Sequence, residues 1–152
     1  MASEAGITGV EFIEEPASLL HPNPLLTQAM RQLEEYFSGA RLEFSLPLAP
    51  EGTDFQRNVW QALTEIPFGA TASYAVLAEM IANPKGVRAV GQANNRNPIA
   101  VVIPCHRVIG SDGDMTGYAS GIWRKEWLLA HERKYAAVPS RKTSAQLLQG
   151  VQ

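Results

Sequence analysis

Residues 73–95, "SYAVLAEMIANPKGVRAVGQANN", hold two short helical runs separated by "ANPKG". This pairing constrains the fold most, because neither run is long enough to be a stable helix alone and each must bury an apolar face against a shared core. The first run reads as a helix from about Ser73 to Ile81, capped by Ser73, with Tyr74, Leu77, Met80 and Ile81 on one face. Asn83 as N-cap and Pro84 at the first helical position then open a second helix, reaching to Asn95. Val87, Val90 and Gly91 of that helix face the first one, while Lys85, Arg88, Gln92 and Asn95 recur on the opposite face at spacings of three to four. Two short helices joined by a tight turn make a helix-turn-helix. Small neighbours at Ala89, Gly91 and Ala93 let the second helix approach a surface closely, although many such pairs are plain packing units.

Charge favours the binding use. The net charge of −2 conceals an asymmetry: residues 1–53 carry eight acids and two bases, residues 54–152 seven acids and eleven bases. No acid lies between Glu79 and Asp112, a stretch that contains Lys85, Arg88, Arg96 and Arg107. A basic half points to a polyanionic partner. No apolar run approaches the ~20 residues a membrane span needs, so no membrane partner is expected.

The rest of the chain supplies a frame for this pair. "ITGVEFIEE" (7–15) and "RLEFSLPL" (41–48) read as strands on either side of a helix over 24–37, with Leu26, Met30, Leu33 and Phe37 on its apolar stripe. Thr53 and Gln56 form a capping box that opens a further helix, with Phe55, Val59, Leu63 and Ile66 inward. "IAVVI" (99–103) reads as a buried strand ended by Pro104. "SGIWRKEWLLAHE" (120–132) is a final helix packing Trp123, Trp127 and Ala130. The expected architecture is α/β (α+β): an N-terminal strand/helix lobe over 1–50, a helix-turn-helix domain over 53–133, and a flexible tail over 134–152.

Cys105, in "IPCHRVIG", is the single cysteine. It cannot form an internal disulfide or build a Cys-rich zinc site, which suits a reducing, cytoplasmic setting. A lone cysteine is ordinarily an inert, small core residue. Here Pro104 opens a helical turn that puts the thiol at a helix N-terminus beside His106 and Arg107, an environment favouring thiolate. Adjacent side chains diverge, so His106 would reach the thiol through a water, and Glu132 is a carboxylate suited to orient His106. A hydrogen-bonded structural histidine is the alternative.

"PCHRVIG", preceded by "NPKGVRAVGQANNRNP" and followed by "TGYASGIWRKEWLLAHE", resembles the O6-alkylguanine-DNA alkyltransferase family, the methylated-DNA–protein-cysteine methyltransferases. The resemblance is close from Thr53 to Glu132 and looser from Ile7 to Pro50. It implies direct repair of double-stranded DNA. A flipped-out O6-alkylguanine would yield its alkyl group irreversibly to Cys105, once per chain, from the minor groove and without a cofactor. O4-alkylthymine is left open as a second substrate.

The resemblance also implies roles. His106 acts as base through water, Glu132 orients it, and Tyr74 turns the neighbouring phosphate and assists the leaving group. Arg88 fills the stack vacated by the flipped base, on a DNA-binding face with Lys85, Ala89, Gln92 and Asn95. Asn97 braces the turn before the cysteine. Tyr118, Ala119 and Ser120 border the pocket, the Val108 carbonyl accepts from the guanine amine, and Lys125 holds the pocket loop. No metal is expected, and the protein is expected to be a monomer. Three departures stand out: the first lobe has less strand before Ile7 than is usual in the family, it lacks the further cysteines with which some members bind structural zinc there, and Ser120 replaces a common glycine at the pocket rim.

Overall fold

The computed structural model describes residues 1–14, 23–115 and 117–136. In chain order these form β1 (Ala2–Ser3), β2 (Gly6–Ile7), α1 (Pro24–Phe37), α2 (Asp54–Leu63), β3 (Ala72–Ser73), α3 (Tyr74–Met80), α4 (Val87–Asn95), a 3₁₀ turn (Cys105–Arg107), β4 (Val108–Ile109) and α5 (Ile122–Ala136). β1 and β2 pair antiparallel, and β3 and β4 pair parallel. The architecture is α+β, with helices around two very small sheets.

The capping box of α2 is present as expected. The Thr53 side chain accepts from the Gln56 N–H, and the Gln56 side chain accepts from the Thr53 N–H. α2 then buries Val59, Trp60 and Leu63. Ser73 caps α3 through the Val76 N–H. α4 starts later than expected: its N-cap is Gly86, not Asn83, and residues 83–86 form a turn closed by the Gly86 N–H on the Asn83 carbonyl. Asn83 packs against Gly86 instead of capping. Val90 is fully buried under the pair, whereas Val87 lies at the surface. Trp60 ties the pair to α2, its indole N–H donating to the Ala93 carbonyl at 2.8 Å.

Three expected strands are corrected. Over 7–15, only Ile7 belongs to a strand and Val10 makes a single bridge to Ile99; Glu15 lies outside the described residues. Over 41–48, only Leu48 bridges, to Ile7. Residues 99–103 are buried but turn instead of extending. The Val102 N–H donates back to the Ala100 carbonyl around Val101, whose φ is +70°, and the Ile103 N–H returns to the Ile99 carbonyl. A β-branched residue in that region is strained. β-Branched apolar composition reports burial as well as strand, and here burial alone was its meaning.

Two helix faces also differ. α1 covers 24–37 as expected but buries Ala29, Gln32 and Tyr36, while Met30 and Phe37 reach the surface. α5 buries Lys125, Leu128, Leu129, His131 and Glu132, and Trp123, Trp127 and Ala130 are exposed. The helix also runs through residue 134 to Ala136; residues 137–152 of the expected tail lie outside the described residues. The first lobe meets the rest along Val10, whose N–H donates to the Pro98 carbonyl and whose carbonyl accepts from Ala100. A cavity of about 490 Å³ lies between residues 42–48 and the elements bearing Phe68, Val102 and Arg107.

Candidate active site

The turn carrying Cys105 is built by Asn97. Its amide Nδ2 donates to the Ile103 carbonyl at 2.8 Å, and its Oδ1 accepts from the Ile99 N–H at 2.9 Å. One side chain thus closes the strained loop around Val101 and also lies near enough to the Cys105 thiol to pull its pKa down. Beyond Ile103, the Cys105 N–H folds back onto the Ile103 carbonyl around Pro104, and the 3₁₀ turn begins.

Cys105 is 7% exposed. Burial pushes its thiol up from the ordinary value, against the Asn97 amide and the Lys125 charge, which pull it down. The resting form is therefore the thiol, which corrects the expectation of a thiolate. The expected cation is also redirected. Arg107 points away into an ion pair with Glu132 at 2.7 Å, and Lys125 on α5 is the cation that acts on Cys105. Lys125 is fully buried and donates to the Val108 carbonyl at 2.5 Å, so burial lowers its own pKa.

His106 is also fully buried, with Nε2 2.7 Å from Glu132 Oε2. An ionised carboxylate only accepts, so Nε2 carries the proton and Nδ1 keeps the lone pair. That Nδ1 is buried with no hydrogen-bond partner among the described residues. Burial lowers the pKa of His106 despite the facing carboxylate, and Arg107 and Lys125 lower it further. Glu132 lies far below the usual carboxylate range: burial opposes ionisation, but His106 and Arg107 outweigh it. The site therefore holds a neutral imidazole with a fixed tautomer, backed by a permanent carboxylate.

A cavity of about 20 Å³ opens beside the thiol, bordered by Asn94, Asn97, Cys105, Tyr118, Ala119 and Ser120. Tyr118 Oη and Asn94 Oδ1 on this border are buried without a partner among the described residues. Tyr118 and Asn94 thus bring hydrogen-bonding groups to the border of the cavity. Tyr74 is half-buried at the start of α3, and its hydroxyl lies so near Gly117 that a Cβ there would sit 2.9 Å from it. Gly117 has a φ of +81°. Ser120 is half-exposed at the rim, its carbonyl accepting from Arg124.

The helix-turn-helix face is solvated and meets the cavity at Asn95, which also lines it. Lys85, Arg88, Ala89, Gln92 and Asn95 are all exposed, and Val90, Ala93 and Asn94 form the buried side of α4. Three residues of the site were missed in the sequence: Tyr36, Arg107 as the partner of Glu132, and Asn94. Only Asn94 had a local signal, as the buried-face neighbour of Asn95 on α4.

Together, fold and site define a two-lobed protein that sets one thiol, backed by a His–Glu pair, beside a helix-turn-helix. The family model of the 6-O-methylguanine DNA methyltransferase DNA-binding domain matches residues 54–134, and that of the family's ribonuclease-like domain matches residues 1–50. The methylated-DNA–protein-cysteine methyltransferase of Methanosarcina barkeri is 57% identical over 126 residues, spanning 83% of this chain and 80% of that one. The constitutive enzyme of that name from Bacillus subtilis is 53% identical over 111 residues, 72% of this chain and 67% of its own. The crystal structure of Mycobacterium tuberculosis OGT in complex with DNA is similar with a TM-score of 0.79 at 40% identity, covering 97% of this chain and 90% of that one. The chain belongs to the 6-O-methylguanine DNA methyltransferase family.

Proposed function

We propose that this protein repairs alkylated double-stranded DNA directly, moving the alkyl group from O6 of guanine to Cys105. The observation that carries this reading is the fixed tautomer of His106: Nε2–H is held by Glu132, so the lone pair on Nδ1 is available to take the thiol proton. In the step, the S–C bond forms as the C–O6 bond breaks. The thiol proton passes through a water to His106 and finally to the departing guanine.

Tyr74 assists departure, and Tyr118, Ala119, Ser120 and the Val108 carbonyl hold the base. A base flipped from the stack enters beside Cys105, between α4 and the Tyr118–Ser120 loop. Arg88 fills the vacated position, and Lys85, Ala89, Gln92 and Asn95 contact the minor groove. The thioether is stable, so each chain acts once, with no cofactor. The protein works as a monomer in the cytoplasm, where a lone thiol stays reduced. Among the described residues no helix is long and apolar enough to cross a membrane.

Intact mass after incubation with O6-methylguanine duplex tests the reading. One added methyl group per chain, located on Cys105, is expected. No mass change, or methyl groups on several residues, would remove it.

A further inference from the structure

Glu132 serves more than His106. Its Oε2 also accepts from the Tyr36 hydroxyl at 2.6 Å and from Arg107 Nη2 at 3.0 Å, while Oε1 accepts from Arg107 Nε at 2.7 Å. Tyr36 lies 96 positions earlier, on α1 of the N-terminal lobe, and is completely buried. Its ring packs against Phe37, Phe44, Phe68 and His131, and the His131 ring nitrogen is held on the Tyr36 carbonyl at 2.8 Å. The hydroxyl thus has little freedom to point elsewhere.

We propose that Tyr36 is a positioning residue for the transfer: its hydroxyl aims the Glu132 carboxylate at His106 and takes up part of that carboxylate's charge. The proposal rests on the alkyl-transfer reading above. A base must be neutral before it accepts a proton, and an undivided buried carboxylate would favour the imidazolium. Sharing Oε2 among three donors limits that pull. The charged and titratable groups facing His106 are Glu132, Arg107 and Lys125, and those facing Tyr36 are Glu132, Arg107 and Tyr118, with His131 in ring contact. Burial and the neighbouring carboxylate both hold the phenol protonated, so Tyr36 remains a donor throughout. The N-terminal lobe, which among the described residues contributes none to the cavity at Cys105, thereby reaches the chemistry through the Tyr36 hydrogen bond.

Tyr36→Phe removes that donor and keeps the ring. The rate of methyl transfer should then fall ~3–10-fold on the acidic limb of its pH profile, and stay within ~2-fold on the neutral plateau, as expected for one hydrogen bond to a charged group. Nitrogen-15 NMR of the His106 ring should show protonation beginning at higher pH than in the parent. Site-specific 3-fluorotyrosine at position 36 is a more acidic donor of nearly the same shape, and should move both readouts the opposite way; it decides the matter if Tyr36→Phe does not fold. Phe44→Leu, which loosens the same aromatic cluster but leaves the hydroxyl, should lower stability without moving the limb. A uniform loss of rate at every pH, or an unmoved His106 titration in both Tyr36 variants, would overturn the proposal. If the parent takes up no methyl group, the functional reading fails, and the NMR titration still decides whether Tyr36 governs His106.

Discussion

The polar residues of α4 and the turn before it, and those behind Cys105, live under opposite physics. Lys85, Arg88, Gln92 and Asn95 stand in water, whereas His106, Lys125 and Glu132 are at most 1% exposed. Solvated charges attract a partner weakly, and salt screens them. Buried charges are held by named partners, and each lost partner leaves an uncompensated group. Affinity should therefore reside in the first region and chemistry in the second, and substitutions can break that division.

The largest effect is expected at the thiol. Cys105→Ala should abolish methyl uptake yet leave duplex binding largely intact, measured by mass spectrometry and a binding titration on the same preparation. Label on any other residue of that variant would dissolve the division.

Next in size is Glu132→Gln, which leaves Arg107 buried without its counter-ion and should lower unfolding free energy by about 3–5 kcal/mol. The pH dependence has a defined sign. The folded pKa of Glu132 is depressed, so its contribution is complete above the unfolded value of ~4.3 and fades as pH falls below it. His106 is held neutral, so its protonation begins to favour the unfolded state once pH drops below ~6.5. Denaturant midpoints from pH 8 to 3 should show both declines in the parent and only the upper one in Glu132→Gln.

Arg88→Ala sharpens the comparison from the other side. Repair in duplex DNA should fall by an order of magnitude or more, because unstacking the base costs about a few kcal/mol, while reaction with the free alkylated base barely changes. Equal losses on both substrates would place Arg88 with the pocket or the fold. A smaller signal is the salt response: with ~3–4 phosphates contacted, log affinity should fall against log salt with a slope near −3. The smallest and most local concerns the rim. Ser120→Gly should raise the benzyl-to-methyl rate ratio, since crowding of a pocket typically costs ~1–3 kcal/mol. An unchanged ratio would mean that the Ser120 side chain does not gate the pocket.

Local chemistry was legible in the sequence wherever it was local. The capping box at Thr53 and the cap at Ser73 place α2 and α3 because each depends on residues three apart. The helix pair and the solvated face of Arg88, Gln92 and Asn95 followed from helical spacing, whereas the start of α4 and the place of Lys85 and Val87 did not. What was hidden depends on contacts across the chain. Val101 sits in a run that composition makes a strand, but Asn97 and Pro104 close it into turns. Lys125 has the sequence of a surface lysine and is fully buried on the Val108 carbonyl. Trp123 and Trp127 carried the strongest apolar signal of α5 and lie outside, because His131 and Glu132 claim the inward face. Tyr36 had no signal, since its partner is on α5 and nothing in α1 announces a buried acid there.

The bond from Trp60 to the Ala93 carbonyl has a mechanical consequence. It anchors the C-terminal turn of α4 to α2, while Val90 anchors its middle in the core, so tilting or sliding the helix relative to the body that carries Cys105 would cost both contacts. A rigid wedge of this kind leaves shape adjustment to the duplex. Smoothly bending 20–30 base pairs costs on the order of 1–6 kcal/mol, and less at pyrimidine–purine steps than in stiff A-tracts. Lesions embedded in pliant sequence should accordingly be engaged more readily than the same lesion in a stiff tract.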